Sequence, residues 1–463
     1  MNAQPVLIIA TLTLLPCCMV GPKYKKPCPQ LPNAYAEEKL PREIADLAQW
    51  WTFFDDPYLD ELIKKALANN YNLRIAREKI EEARAYYRIK NADLYPEVNV
   101  VGNVNRTGLS KNYNKYLYLS PKTTNYFQIG FDASWELDFW GKLRRARAAA
   151  YADFQAQIEA MHEVYLILLS DVAKAYVDSR SFQKKIDLLN EQITVDTDIL
   201  SLRDDRYSSG VDSQIPDVNQ LAALDESKKQ ALSSQIELQQ TINRLALLLG
   251  LNPEEFNLAP AKHDVPMTHR APAVGLPSDL VQRRPDIRRA ERLLAAATEN
   301  FGYANTAWFP SFSLLGGSIF EANKGSNWFS GNSISWTIGP ALNWPLITFG
   351  RIKYDVQEKR SAQRQAILSY AQSVVNALTD VEDWLVAYFK LKDQVAVLTE
   401  KLSAATTQRD LYASQFEGGL ANKMDLLQAE KNRISIELEL TNTQQALSSA
   451  LISLYKALGG GWE

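Results

Sequence analysis

The chain repeats itself. Subtracting 209 from the numbering of its second half restores the pattern of the first: Gly350-Arg351 falls on Gly141-Lys142, Phe416 on Tyr207, Gly419 on Gly210 and Leu458-Gly459 on Leu249-Gly250. Between these landmarks runs a ladder of core-type residues at alternating spacings of 3 and 4. It starts at Tyr165, Leu168, Val172 and Ala175, passes Asp196 and ends at Tyr207; its copy starts at Val374, Ala377, Val381 and Trp384, passes Ala405 and ends at Phe416. All thirteen rungs match without a gap. A repeat this long means two copies of one large structural unit, so function is expected from assembly rather than from a catalytic pocket.

The mean spacing of about 3.5 residues is the heptad period of a supercoiled helix seam. No Pro or Gly interrupts 142–209 or 351–417. Each stretch is therefore predicted to be one helix, 142–208 and 351–417, roughly 100 Å long at 1.5 Å per residue. Gly210 and Gly418-Gly419 supply the left-handed conformation that ends helices. Shorter helices then return over 216–249 and 424–458. Upstream, the apolar spacing of Leu59 to Leu94 matches that of Asp279 to Trp308 at an offset of 214, with Tyr95-Pro96 on Phe309-Pro310. Each is predicted as a helix that fills the gap left by the short return arm. Charges on the other helix faces read as solvated surface.

After Pro96 and Pro310 the period changes to 2. Alternating, aromatic-rich segments over about 97–106, 125–138, 311–321 and 334–346 fit membrane β-strands; the alternative is two soluble hairpins packed on the helices. Four strands cannot close a barrel, and an open edge in lipid leaves backbone groups unpaired at several kcal/mol each. If the strands span a membrane, several chains share one barrel. The domain reading is then 1–17 signal peptide, 18–57 N-terminal tail, 58–250 first repeat, 251–278 linker and 279–463 second repeat.

Residues 1–22 carry no charge, and Val6–Leu15 is an apolar run of signal-peptide length ending in Leu15-Pro16-Cys17-Cys18. A cysteine there suits lipid attachment. Three cysteines in 463 residues make no disulfide scaffold. Net charge −3 argues against nucleic-acid binding. The histidines, His162, His263 and His269, have no metal-ligand spacing, and no phosphate loop or nucleophile motif occurs. No enzyme activity, metal or cofactor is expected beyond a covalent lipid. Asp217 and Asp425, just after each hairpin turn, read singly as helix N-terminal carboxylates.

Four stretches then carry a resemblance: Cys18-Met19-Val20-Gly21-Pro22-Lys23-Tyr24-Lys25-Lys26-Pro27, the passage Trp135 to Lys142, the run Leu276 to Glu291 (LPSDLVQRRPDIRRAE), and Tyr455 to Trp462. Across essentially its whole length the chain resembles a TolC-type outer-membrane factor of the lipoprotein branch. The resemblance implies an α+β membrane protein. It is a trimer with a 12-stranded outer-membrane β-barrel, four strands per chain, continued by a 12-helix periplasmic α-barrel. It puts lipid on Cys18. It makes the hairpin tips, with Arg206, Tyr207, Gly210, Gly418 and Gly419, the docking end for a periplasmic adaptor (membrane fusion) protein. The implied partner beyond the adaptor is a proton-driven inner-membrane transporter. The resemblance also implies a periplasmic gate, with Asp217 and Asp425 at its acidic constriction. The family's Tyr-x-x-Gly-x-Arg reads Phe416-Glu417-Gly418-Gly419-Leu420-Ala421 here, so Phe416 takes the gate position without the hydroxyl or the Arg. The implied function is a passive exit duct of a tripartite efflux pump for small molecules. A type I protein-secretion channel and a structural coiled-coil trimer are the alternatives.

Overall fold

The computed structural model describes residues 19–29, 31–32, 35, 47–108, 123–211, 215–258, 264–268, 272 and 275–462, without the side chains of 215–217. Cys17, Cys18, His263 and His269 lie outside the described residues. The elements are α1 (Pro57–Asn69), α2 (Tyr71–Ala92), β1 (Glu97–Gly108), β2 (Thr123–Leu137), α3 (Lys142–Ser208), α4 (Ile215–Leu248), α5 (Pro277–Arg283), α6 (Pro285–Asn305), β3 (Ser311–Ala322), β4 (Ile334–Asn343), α7 (Arg351–Glu417) and α8 (Lys423–Ala457). No helix among the described residues is long and apolar enough to cross a membrane. The chain divides into two compact units.

One unit comprises Met1–Cys28, Lys79–Gln157 and Arg289–Tyr370. It holds the four strands, an antiparallel sheet in the order β1-β2-β3-β4. β4 stops at Asn343, short of the expected 346, because Pro345 has no N–H to give a ladder. The first described residues are strapped onto this unit. Val20 N–H donates to the Trp140 carbonyl at 3.1 Å. Arg145, fully buried, donates to the carbonyls of Val20 (2.9 Å) and Gly21 (3.1 Å) and pairs with Glu299 at 2.7 Å. Space for this clasp comes from glycine: a Cβ on Gly302 would lie 2.6 Å from the Arg145 guanidinium, and one on Gly21 2.9 Å from Gly302 Cα. Further along the strap, the Tyr24 hydroxyl donates to Glu291.

The other unit comprises Pro29–Glu78, Ile158–Arg288 and Ala371–Glu463. Its main core gathers Trp50, Leu59, Leu62, Leu169, Val172, Leu245, Val381, Leu454 and Tyr455. Trp50 stacks on Tyr455 at 5.4 Å between ring centres. Burying each such side chain stabilises by about 1.5–3 kcal/mol. The ladder rungs Val172, Ala175 and Ser179 are buried, as are Val374, Ala377 and Val381. A second apolar seam, absent from the ladder, joins Leu188, Val195 and Ile199 of α3 to Leu427 and Ile434 of α8.

One expectation is corrected here. The upstream helices are not continuous: the first breaks at Asn70 and the second at Arg284, where ψ swings to 126° and 120°. These positions are 214 apart. Pro285 forces the second break, since the residue before a proline avoids the helical region. The first has no proline. There the Asn70 side chain accepts from Leu73 N–H at 3.1 Å and restarts the helix as a cap. Both break residues pin one carbonyl of the return helix: Asn70 Nδ2 donates to Leu248 O at 2.9 Å, and Arg284 to Ala457 O at 2.9 Å. The ladder rung Asp196 is fully buried, a carboxylate at a core position.

Candidate functional site

Each long helix ends in the same turn. Gly210 N–H donates to Tyr207 O at 2.9 Å and Val211 N–H to Arg206 O at 2.9 Å. Correspondingly, Gly419 N–H donates to Phe416 O at 3.0 Å and Leu420 N–H to Gln415 O at 2.7 Å. This is the 5→2 and 6→1 pairing that satisfies the last carbonyls of a helix. Gly210 and Gly419 both sit at φ 71°. Gly418 has no positive φ, so the left-handed role falls to Gly419 alone.

The expected tip residues distribute unevenly. Tyr207 and Phe416 are exposed, at 44% and 41%, and Arg206 is half-buried. Asp425 is the third residue of α8; its N–H donates to Asn422 Oδ1 at 2.9 Å and its carboxylate is exposed and makes no ion pair among the described residues. Asn422 is thus the cap of α8, worth about 1 kcal/mol. Asp217 is the third residue of α4, and its side chain lies outside the described residues. Nothing brings Asp425 and Phe416 into contact through a hydrogen bond or ion pair.

Sequence reasoning missed a polar hub in the same unit. The Asp196 carboxylate receives Ser227 Oγ at 2.7 Å, Gln220 Nε2 at 3.0 Å and Lys431 Nζ at 2.6 Å. It ties α3, α4 and α8 together. Two residues along α8 from Lys431, Arg433 pairs with Glu430, Glu437 and Glu191; burial works against its charge, but Glu430 and Glu191 hold its pKa above the ordinary arginine value. The signal was available: a carboxylate stands at a rung where the copy has Ala405, and Lys431 falls where the first repeat has Ala222.

No metal-binding group of acids, Cys and His occurs among the described residues. His162 stacks on Trp462 at 4.5 Å, with Nδ1 3.2 Å from Glu159. A cavity of about 240 Å³ in the helical unit is lined by Lys174, Arg284, Asp286, Asp380, Trp384 and Lys456 among others. Burial, and then the neighbouring Lys456, lower the Lys174 pKa. It holds no nucleophile with an adjacent base.

The sheet is the second candidate site. Paired residues share a face, so the register assigns every position. Val98, Val100 and Val104 stand opposite Ala133, Phe131 and Phe127. Trp135, Ile129 and Phe127 stand opposite Leu314, Phe320 and Ala322. Leu314, Gly316, Ser318 and Phe320 stand opposite Pro340, Ile338, Trp336 and Ile334. This face is apolar and largely open: Val100 is 68% exposed, Ile338 68% and Trp336 74%. The other face carries Asn99, Asn103, Gln128, Asp132, Ser313, Glu321 and Thr337, with Val101, Leu315 and Ile319 as apolar exceptions. A lysine at Ile338 is expected to cost about 2–4 kcal/mol per chain if the apolar face meets lipid, and one at neighbouring Thr337 close to nothing. Heat resistance of the two variants in lipid vesicles checks this; equal losses would contradict the facial assignment.

Comparisons with known proteins agree with this architecture. A family model described as outer membrane efflux protein matches residues 62–251 and 276–460. The chain is 30% identical to cation efflux system protein CusC of Escherichia coli O6:H1, over 96% of both chains. It is 30% identical to the probable outer membrane lipoprotein SilC of Salmonella typhimurium, over 99% of this chain and 98% of that one. The solved outer-membrane channel OprN superposes with a TM-score of 0.85 at 27% identity, covering 96% of this chain and all of that one.

Proposed function

Because this chain belongs to the outer membrane efflux protein family, an outer-membrane channel component of efflux pumps, we propose that three copies join their sheets into one 12-stranded barrel, opening into a tube of twelve helices. The observation that carries this is the four-stranded sheet, apolar on one face, polar on the other and unpaired at both edges among the described residues. Such edges cannot stay open in lipid. Closing the sheet with the apolar face outward gives a water-filled lumen lined by Asn, Gln and Thr. The duct is passive, and the energy comes from an inner-membrane transporter reached through a periplasmic adaptor.

Lipid on Cys18 is part of the proposal. SilC, a relative over nearly the full length, is named a lipoprotein. The hairpin tips form the adaptor-docking end and the gate. Three chains would bring three copies of Asp425, and of Asp217, around one axis. Rings of carboxylates select cations. Phe416, exposed at the tip, closes the resting state by apolar contact.

The purified protein should give three chains by native mass measurement. In a planar bilayer it should form a low-conducting, cation-preferring channel. Asp425→Ala should weaken that preference, and Phe416→Ala should raise resting conductance more than Glu417→Ala. Absence of any conductance would favour a structural trimer. Unchanged selectivity with only a small stability loss would reduce Asp425 to a helix N-terminal carboxylate, worth about 0.3–1 kcal/mol.

A further inference from the structure

Within the sheet the two repeats meet at one seam, β2 with β3, and the described strands of one chain form no reciprocal seam of β4 with β1. Within a repeat the correspondence is complete. The β1–β2 pairs Glu97↔Ser134 and Val100↔Phe131 become Ser311↔Asn343 and Leu314↔Pro340 in β3–β4. Trp135 Nε1 donates to Leu94 O at 2.9 Å, and Trp344 Nε1 to Trp308 O at 3.2 Å. An offset of 214 through the first strand and of 209 beyond it relates all of these.

Between repeats the situation is one-sided. Trp140 stacks on Phe309 at 4.7 Å and donates to Pro310 O at 2.8 Å. The counterpart of Trp140 is Phe349, 97% exposed and held at φ 47°, and that of Phe309 is Tyr95, 65% exposed. Glycine repeats the asymmetry. A Cβ on Gly130 of β2 would lie 2.3 Å from Ser318 O and 2.5 Å from Ile319 Cα, so β3 requires glycine there. Its counterpart Gly339 on the β4 edge has nothing within 4 Å. The second repeat keeps the glycine and the junction aromatic, yet the described residues place no strand on the Gly339 edge and leave Phe349 97% exposed.

We infer that β1 of a second copy pairs antiparallel with β4 in the register carried over from β2–β3, and that Phe349 stacks on Tyr95 of that copy. Asp132↔Gly317 becomes Ala341 opposite Asn103, Ala133↔Gly316 becomes Leu342 opposite Gly102, and Gly130↔Ile319 becomes Gly339 opposite Asn105. Parity is right as well: Leu342 and Gly102 fall on the apolar face, Ala341 and Asn103 on the polar one. This rests on the proposed shared barrel and fixes which residues meet at its seams.

The test is cysteine cross-linking in a Cys28→Ser background. Asn103 and Ala341 are three strands apart in one chain, about 14 Å at 4.8 Å per strand, beyond disulfide reach. A bond between cysteines at these positions therefore joins two chains. Oxidation of Asn103→Cys/Ala341→Cys should give a covalent trimer about tenfold faster than Asn99→Cys/Ala341→Cys or Thr107→Cys/Ala341→Cys, each displaced by four residues. Faster bonding in either displaced pair, with three chains by native mass, overturns the register and leaves the trimer standing. A monomer by native mass overturns both. For the aromatic stack, Phe349→Ala and Tyr95→Ala should each lower the heat resistance of the trimer, and the double variant should lose no more than the worse single one. Fully additive losses would mean that the two rings do not meet.

Discussion

An Arg145→Ala chain is expected to lose about 3–5 kcal/mol of stability, the usual cost of removing one member of a buried ion pair. Three features make the effect large. The Arg145 side chain has no solvent exposure, and that of its partner Glu299 has only 13%. The guanidinium also satisfies two strap carbonyls, Val20 and Gly21. The niche is shaped by Gly21 and Gly302, so no neighbouring side chain can collapse into it. Arg145→Lys should fall between, because a point charge cannot bridge Glu299 and both carbonyls as a planar fork does. Urea midpoints in detergent measure the loss. Trypsin reports the strap directly, since Lys23 and Lys25 follow the clasped residues: cleavage there should accelerate in Arg145→Ala. Unchanged cleavage with unchanged midpoint would remove the clasp.

The second large effect is at Asp196. Asp196→Ala leaves the Lys431 ammonium, the Gln220 amide and the Ser227 hydroxyl without their carboxylate acceptor, and is expected to cost about 3–5 kcal/mol. Lys431→Met alone should cost a comparable amount, since it strands a fully buried carboxylate. The pair Asp196→Leu/Lys431→Met should recover much of the loss, because apolar replacement of a buried ion pair is often neutral or stabilising. A double-mutant cycle on thermal unfolding supplies the coupling. Additive single losses would show that the two residues act independently.

Much of this architecture was legible in the residues, and what was not has identifiable causes. The uninterrupted ladders and their terminal glycines specify α3 and α7, since helix period, length and end signal agree. The four strands follow from period 2, but not their facing. Alternation distinguishes two faces without saying how neighbouring strands align, and only the pairing of Val100 with Phe131 and Leu314 with Pro340 makes the apolar face continuous. The break at Arg284 was written in Pro285. The break at Asn70 was not, because a capping asparagine reads locally as an ordinary polar helix residue. Asp196 stands on the ladder as a core-type rung, but a rung does not say which groups answer a buried carboxylate, and only its mismatch with Ala405 singles it out. At the candidate gate, Asn422 rather than Asp425 makes the capping bond, so the Asp425 carboxylate is left for another use.

The two break residues carry unequal obligations. Asn70 and Arg284 pin equivalent carbonyls, but an amide is neutral and asks nothing further of its surroundings. A guanidinium brings a charge that must be answered. Burial disfavours it, and Asp286 and Asp380, at 2.7 and 3.1 Å, more than offset this and raise its pKa. The second repeat has Asp286 where the first has Asn72, and it turns Asp380 to the break, whereas the counterpart Asp171 pairs with Arg244 at 3.6 Å. Drift at the first break involves one side chain at a time, whereas at the second three must change in concert. Two copies of one structural unit can thus share a backbone and still differ in how many side chains each break binds together.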